Sequence, residues 1–350
     1  MCRSCASTAS CRATRVIRSS SVRWRAAALG VLFLTEFTAS LADPALMKIV
    51  DVPLPGRATR FDYQSFDPTT STLYFTHMGD GELVVFDAER RQVVAHVAGF
   101  PRATGVLVVP ELHRIFVSAA GTHEIAVVDS GSLEVLERIA AGDFPDGLAY
   151  APNAHKVFVS DESGGLETVI DTNTNRRVDT IDLGGEVGNT RYDPASDRIL
   201  ANVQSRNELV VIDPRTDAIV GRHVLEGGTG PHGLLVLQPE NLAFVACEED
   251  ARLLVVNLES FRVEQVLATG RRPDVLSFDA GQGRLYVAAE SGIVSIFQLR
   301  ERVLGKLEDL EVAPRAHTIF VNPVNHEAYL PLQKVGGRPV LRIMRAVGPG

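Results

Sequence analysis

Three side chains at near-equal spacing invite a chemical reading: His232 in "GTGPHGLLVL" (228–237), Asp274 after 42 residues, and His317 after a further 43. Imidazole and carboxylate together can hold a divalent ion such as zinc, or exchange a proton with a substrate. Carboxylates recur at related intervals, Asp62 and Asp146 in one set and Glu162, Glu248 and Glu290 in another, with His77 close by the second. A metal-dependent enzyme of lactonase or lyase type would use His232 or His317 as ligand or base and Glu248 or Glu290 as acid–base partner. A plainer reading stays open, because Asp-Gly and His-Gly also serve turns well. Residues this far apart can meet only if the chain repeats a structural unit.

It does. "LYFTH" (73), "RIFVSAA" (114), "KVFVSDE" (156), "RILANVQ" (198), "LAFVACE" (242), "RLYVAAE" (284) and "EAYLPLQ" (327) are short apolar segments. Their anchors Tyr74, Phe116, Phe158, Leu200, Phe244, Tyr286 and Tyr329 are spaced by 42, 42, 42, 44, 42 and 43 residues. Thirteen residues after the first five anchors stand Asp87, Asp129, Asp171, Asp213 and Asn257, each ending a strand-like run. Their side chains suit turns, accepting a backbone N–H two residues on. Each unit reads as four strands punctuated by Gly, Pro, Asn and Asp. Four-stranded repeats of this length predict an all-β fold, a seven-bladed β-propeller of antiparallel blades. The seventh unit runs out after three strands, and "MKIVDVPLPG" (47–56) supplies a spare one. Pairing the two would close the last blade and cover both edges.

A propeller gives the spacing its meaning. Twelve residues before each anchor stand Asp62, Thr104, Asp146, Gly188, His232, Asp274 and His317; four after each stand Met78, Ala120, Glu162, Gln204, Glu248, Glu290 and Gln333. Both positions fall at the same end of the central channel. The expected site is therefore a channel mouth built from Asp62, His77, Asp146, Glu162, His232, Glu248, Asp274, Glu290 and His317, with His232, Asp274 and His317 as candidate metal ligands.

The N-terminus differs from the rest. Six arginines and no acidic residue precede the apolar run "AAALGVLFLT" (26–35), and "ASLADP" follows. This pattern predicts a Sec-type signal peptide over 1–42, cleaved after Ala42, ahead of one propeller domain over 43–350. The apolar run is too short to span a bilayer. Cleavage would leave 29 basic against 42 acidic residues, a net charge of −13. Such a balance argues against nucleic acid as a partner. Cys247 would be the one remaining cysteine, which excludes internal disulfides and thiolate metal clusters. The single tryptophan, Trp24, would leave with the signal, so WD repeats and tryptophan docking motifs are excluded.

"KVFVSDESGGLETVIDTNTNRRVDTIDLGG" (156–185) and "RILANVQSRNELVVIDPRTDAIVGRHVLEGG" (198–228) resemble the YVTN repeat of YncE-like bacterial propellers. The resemblance covers the whole mature chain. It implies an exported, periplasmic binding protein, and among such proteins some sit beside redox enzymes, some bind metal or haem, and some bind single-stranded DNA. No motif here carries any of those activities over. The leading expectation is a non-enzymatic binding or scaffold module with its ligand or partner at the mouth. The metal-dependent enzyme is the alternative. An accessory protein docking a periplasmic redox partner by its acidic surface is a second alternative.

Overall fold

Each repeat folds as a four-stranded antiparallel sheet, and the computed structural model sets seven such sheets in a ring. It describes residues 44–347; the predicted signal peptide, 1–42, lies outside the described residues. The third blade is representative, with Pro145–Ala151 innermost, then Lys156–Asp161, Leu166–Asp171 and Arg176–Asp182 outermost.

Packing explains the strand sequences. Second and third strands are covered on both faces by neighbouring blades, so their middles are buried and mostly apolar, as in "LAFVAC" and "RLLVVN". Outer strands are half exposed, and Gln92–Ala98 and Ala218–Val224 alternate along their length. All seven anchors are at most 3% exposed. Each packs against the following blade: Phe116 meets Leu148 and Val157, and Phe244 meets Leu276 and Leu285. Tyr329 of the seventh blade meets Phe61 and Leu73 at the first, so the interfaces run around the full circle.

The last blade closes with an N-terminal strand, which runs Leu46–Pro53 rather than 47–56. It pairs antiparallel with Arg338–Ala346. Asp51 lies opposite Arg342 and accepts from it twice, at 2.7 and 2.8 Å. This bidentate pair fixes the register across the seam and holds the Asp51 carboxyl below its ordinary range. The conserved-offset aspartates act as turn closers: Asp129 Oδ1 accepts from the Gly131 and Ser132 amides at 3.0 and 2.7 Å.

Adjacent innermost strands approach closely. A Cβ on Gly233 would lie 1.9 Å from the Asp274 carbonyl oxygen of the next blade, and one on Gly105 equally close to that of Asp146. Backbone cannot yield there as a flexible side chain could. Gly233→Ala should therefore lower stability by about 1–3 kcal/mol in urea unfolding, as overpacking does. Gly305→Ala, where nothing lies within 4 Å, should change it by no more than ~1 kcal/mol. Equal effects at the two sites would overturn the close-approach account.

Candidate functional site

Three of the mouth residues stand at an irregularity of the ladder. Asp146, His232 and Asp274 are each second in an innermost strand. The ladder to the neighbouring strand breaks register at that point, between Pro145 and Leu148, Pro231 and Gly233, and Pro273 and Leu276. A bulge of this kind re-aims a side chain, here off the blade face and toward the pore. Polar side chains then tie blade to blade. Thr76 Oγ1 donates to the Thr104 carbonyl at 2.6 Å, Ser118 Oγ to that of Asp146 at 2.8 Å, and Asn202 Nδ2 to that of His232 at 3.1 Å.

The equal offsets do converge. Asp62, Asp146, Glu162, His232, Glu248, Asp274 and Glu290 line one cavity of about 240 Å³, together with Arg60, Tyr63 and Arg272. Asp274 is its centre of charge. One carboxylate oxygen accepts from His317 Nδ1 at 2.8 Å, and the other lies 3.3 Å from His232 Nε2. His317 Nε2 donates to the Phe61 carbonyl at 3.0 Å. With both nitrogens donating, His317 is an imidazolium held behind Asp274.

Burial and charge compete at every group. For His232, burial opposes the charged form, but Asp274, then Asp146 and Glu162, outweigh it and raise the imidazole to about 10. His317 is raised for the same reasons, Asp274 again leading the opposition to burial. Burial would raise Asp274 too, yet the two imidazoles hold its carboxyl well below the usual range. Asp62 and Asp146 fare differently. Burial pushes Asp62 up to about 6 in spite of Arg60, and pushes Asp146 well above its ordinary value. Glu162 is also raised, chiefly by burial. Glu248 and Glu290, by contrast, pair with Arg272 and Arg60.

Two of the sequence expectations need correction. His77 does not face the mouth. Its side chain is fully buried, stacked 4.0 Å from Phe61 and 3.0 Å from Thr59 Oγ1. The cause is strand alternation: Asp161 and Cys247 hold the same register and also turn into the blade. Asp161 accepts from the Asp143 and Phe144 amides, and Cys247 packs beside Gly228. Nor do His232, Asp274 and His317 turn lone pairs to a common point, since both His317 nitrogens are committed. The group at the mouth with ligand atoms within 4.8 Å of one another is Asp274, Glu290 and His317. Among these already sits Arg60, which lies 3.8 Å from Asp274, 3.5 Å from Asp62 and against Glu290.

Arg60 and Tyr63 were missed in the sequence reading. Arg60 stands fourteen residues before its anchor, a register it shares with Arg102, Arg272 and Arg315. Tyr63 holds a register otherwise filled by Gly105, Gly147, Asn189, Gly233, Val275 and Thr318, so a single bulky residue breaks the pattern. Its hydroxyl reaches across the pore, accepting from Asn189 Nδ2 at 2.6 Å and lying 3.4 Å from His232 Nε2. Tyr63 also lines a second cavity of about 570 Å³ farther along the channel, with Phe66, Leu107 and Tyr150. It forms the floor of the mouth.

Comparison with solved structures agrees on the fold. U3-55K matches at a TM-score of 0.72 with 11% identity, over 85% of this chain and 99% of that one. The WD40 repeats of RRP9 match at 0.73 and 11%, over 86% and 99%. Kuenenia stuttgartiensis hydrazine synthase matches at 0.70 and 15%, over 86% and 98%. No protein-family model and no curated protein matches the chain.

The charge pattern has a sign that can be tested. Asp146 ionises near 3.8 when unfolded and well above that when folded. Between those values the folded state binds more protons than the unfolded one, so the group's contribution to stability falls as pH rises. Asp146→Asn removes that loss. Scanning calorimetry should show the variant gaining on the unchanged protein from pH 4 to pH 8, and a constant offset across that range would contradict burial as the cause.

Proposed function

We propose that this protein is an exported, periplasmic binding module of the YncE-like, YVTN-repeat kind, and that it takes a cationic group of its ligand into the channel mouth. The carrying observation is the cavity of about 240 Å³, into which Asp62, Asp146 and Glu162 are forced with more carboxyl than counter-charge. Burial raises all three carboxyls above their ordinary values, Asp62 to about 6. An ammonium or guanidinium entering the cavity would favour the ionised, paired carboxylates that burial disfavours.

A second cleft, of about 470 Å³, adjoins the mouth and shares Arg60, Arg272 and Glu290 with it. Arg271 and Arg315 complete its basic lining. Guanidinium groups suit carboxylate or phosphate. The pair of cavities therefore favours a zwitterionic ligand, cationic at the head and anionic at the tail, such as an amino acid or short peptide. The scaffold supports this role because its blades hold the site in place before binding, so little ordering is needed when the ligand arrives. The acidic balance of the mature chain and the likeness to propeller scaffolds are consistent with a module of this type.

Thermal-shift screening with amino acids, dipeptides, diamines and dicarboxylates should single out zwitterions. Affinity for the best of them, measured by calorimetry, should rise from pH 5 to pH 8 with release of protons. Asp146→Asn combined with Glu162→Gln should weaken it at least about tenfold, or ~1.4 kcal/mol. Preference for dicarboxylates, or affinity that falls over this pH range, would rule the reading out.

A further inference from the structure

His77, excluded from the mouth, belongs to another cluster. On the loop after its strand lies Asp80, and the next strand, Glu82–Asp87, begins with Glu82. His77 Nδ1 and carboxylate oxygens of Asp80 and Glu82 all lie within 4.8 Å of one another. His77 itself is 0% exposed.

The hydrogen bonds fix the imidazole's tautomer. Thr59 Oγ1 donates its one proton to Asp80 Oδ1 at 3.2 Å. His77 Nε2, 3.0 Å from the same hydroxyl, must then be the donor in that contact. Nδ1 is left with a lone pair, pointing into the cluster. It lies 3.6 Å from Asp80 Oδ2, beyond hydrogen-bond length. Neither His77 Nδ1 nor Glu82 Oε2, both buried, has a hydrogen-bond partner among the described residues. The His77 lone pair and the unpartnered Glu82 oxygen are thus left facing one another with no proton donor for either.

We propose that His77, Asp80 and Glu82 form a binding site for a divalent cation of the zinc class, separate from the channel mouth. One imidazole nitrogen and two carboxylates suit zinc, with solvent completing the shell. Calcium would need six to eight oxygens, which this group does not supply. The Thr59 hydroxyl, bonded to both His77 and Asp80, is the outer partner that orients such ligands. Space for the ion is kept by Gly56, where a Cβ would lie 2.3 Å from Asp80 Oδ2 and 3.1 Å from His77 Nδ1. Asp80 also borders an open cleft of about 520 Å³, which gives an entry path. Two basic side chains adjoin the carboxylates. Arg57 donates from Nε and its own amide to Asp80 at 2.8 and 2.7 Å, and His96 Nδ1 is 3.5 Å from Glu82 Oε2.

Gly56, Arg57 and Thr59 lie on the connector between the closing strand and the first blade. An ion here would fasten that connector to the first blade.

The test uses the full chain without a histidine tag, stripped with chelator and titrated with zinc chloride. Calorimetry should give one saturable site whose occupation raises the melting temperature, with magnesium chloride giving no such rise. Glu82→Gln and Asp80→Asn should each weaken zinc binding at least about tenfold. Glu290→Gln, at the mouth, should leave it unchanged. Should Asp80→Asn disturb the connector, Glu82→Gln alone decides, and it also separates this site from the cysteines of residues 1–42. The proposal fails if no saturable zinc binding is seen, if Glu82→Gln binds as the parent does, or if Glu290→Gln abolishes binding.

Discussion

Face-to-face packing of blades is the constraint from which the other features follow. One four-stranded sheet of this chain has two apolar faces and can bury neither by itself. Each blade therefore needs a neighbour on both sides, and a ring is the arrangement in which none is left uncovered. The buried anchors, each worth about 1.5–3 kcal/mol on burial, set the angle between neighbours. Once that angle repeats, side chains at the same offset fall on one circle. Asp62, Asp146, His232 and Asp274 are brought together in this way, although more than forty residues of chain separate each from the next.

The same packing creates the electrostatic character of the mouth. The innermost strands come so close that glycine is required at Gly105 and Gly233, and the carboxyls beside them lose most of their water. Two outcomes result. Where cations can reach, as at Asp274 between His232 and His317, the charge is kept and bound tightly. Where they reach less well, as at Asp146, burial raises the carboxyl well above its ordinary value. Arg60 decides much of this division, since it meets Asp62, Asp274 and Glu290 together.

The fold was almost fully legible in the sequence, because its determinants are periodic: apolar anchors and turn-closing aspartates recur at fixed offsets, and the chain ends have complementary strands. The first ring of the site was legible for the same reason. His77 was misplaced because one step along a strand reverses the facing of a side chain, and a count of offsets does not carry that alternation unless it is imposed. Arg60 and Tyr63 escaped because they depart from their registers in conformation or in bulk. Arg102, Arg272 and Arg315 adopt positive φ, at 52°, 55° and 61°. Arg60 does not share that backbone turn, and its guanidinium meets Asp62, Asp274 and Glu290 together, whereas Arg272 meets Glu248.

The seam of the seventh blade carries a consequence for biogenesis. Asp51 and Arg342 are 291 positions apart in the chain, yet they must meet before the circle is complete. During synthesis the strand Leu46–Pro53 emerges first and waits unpaired until Arg338–Ala346 arrives. The first and seventh sheets thus remain open to foreign strands for the whole of chain emergence. Loss of Glu327–Val335 and Arg338–Ala346 would leave a gapped ring, so this architecture is complete only when both sides of the seam are present.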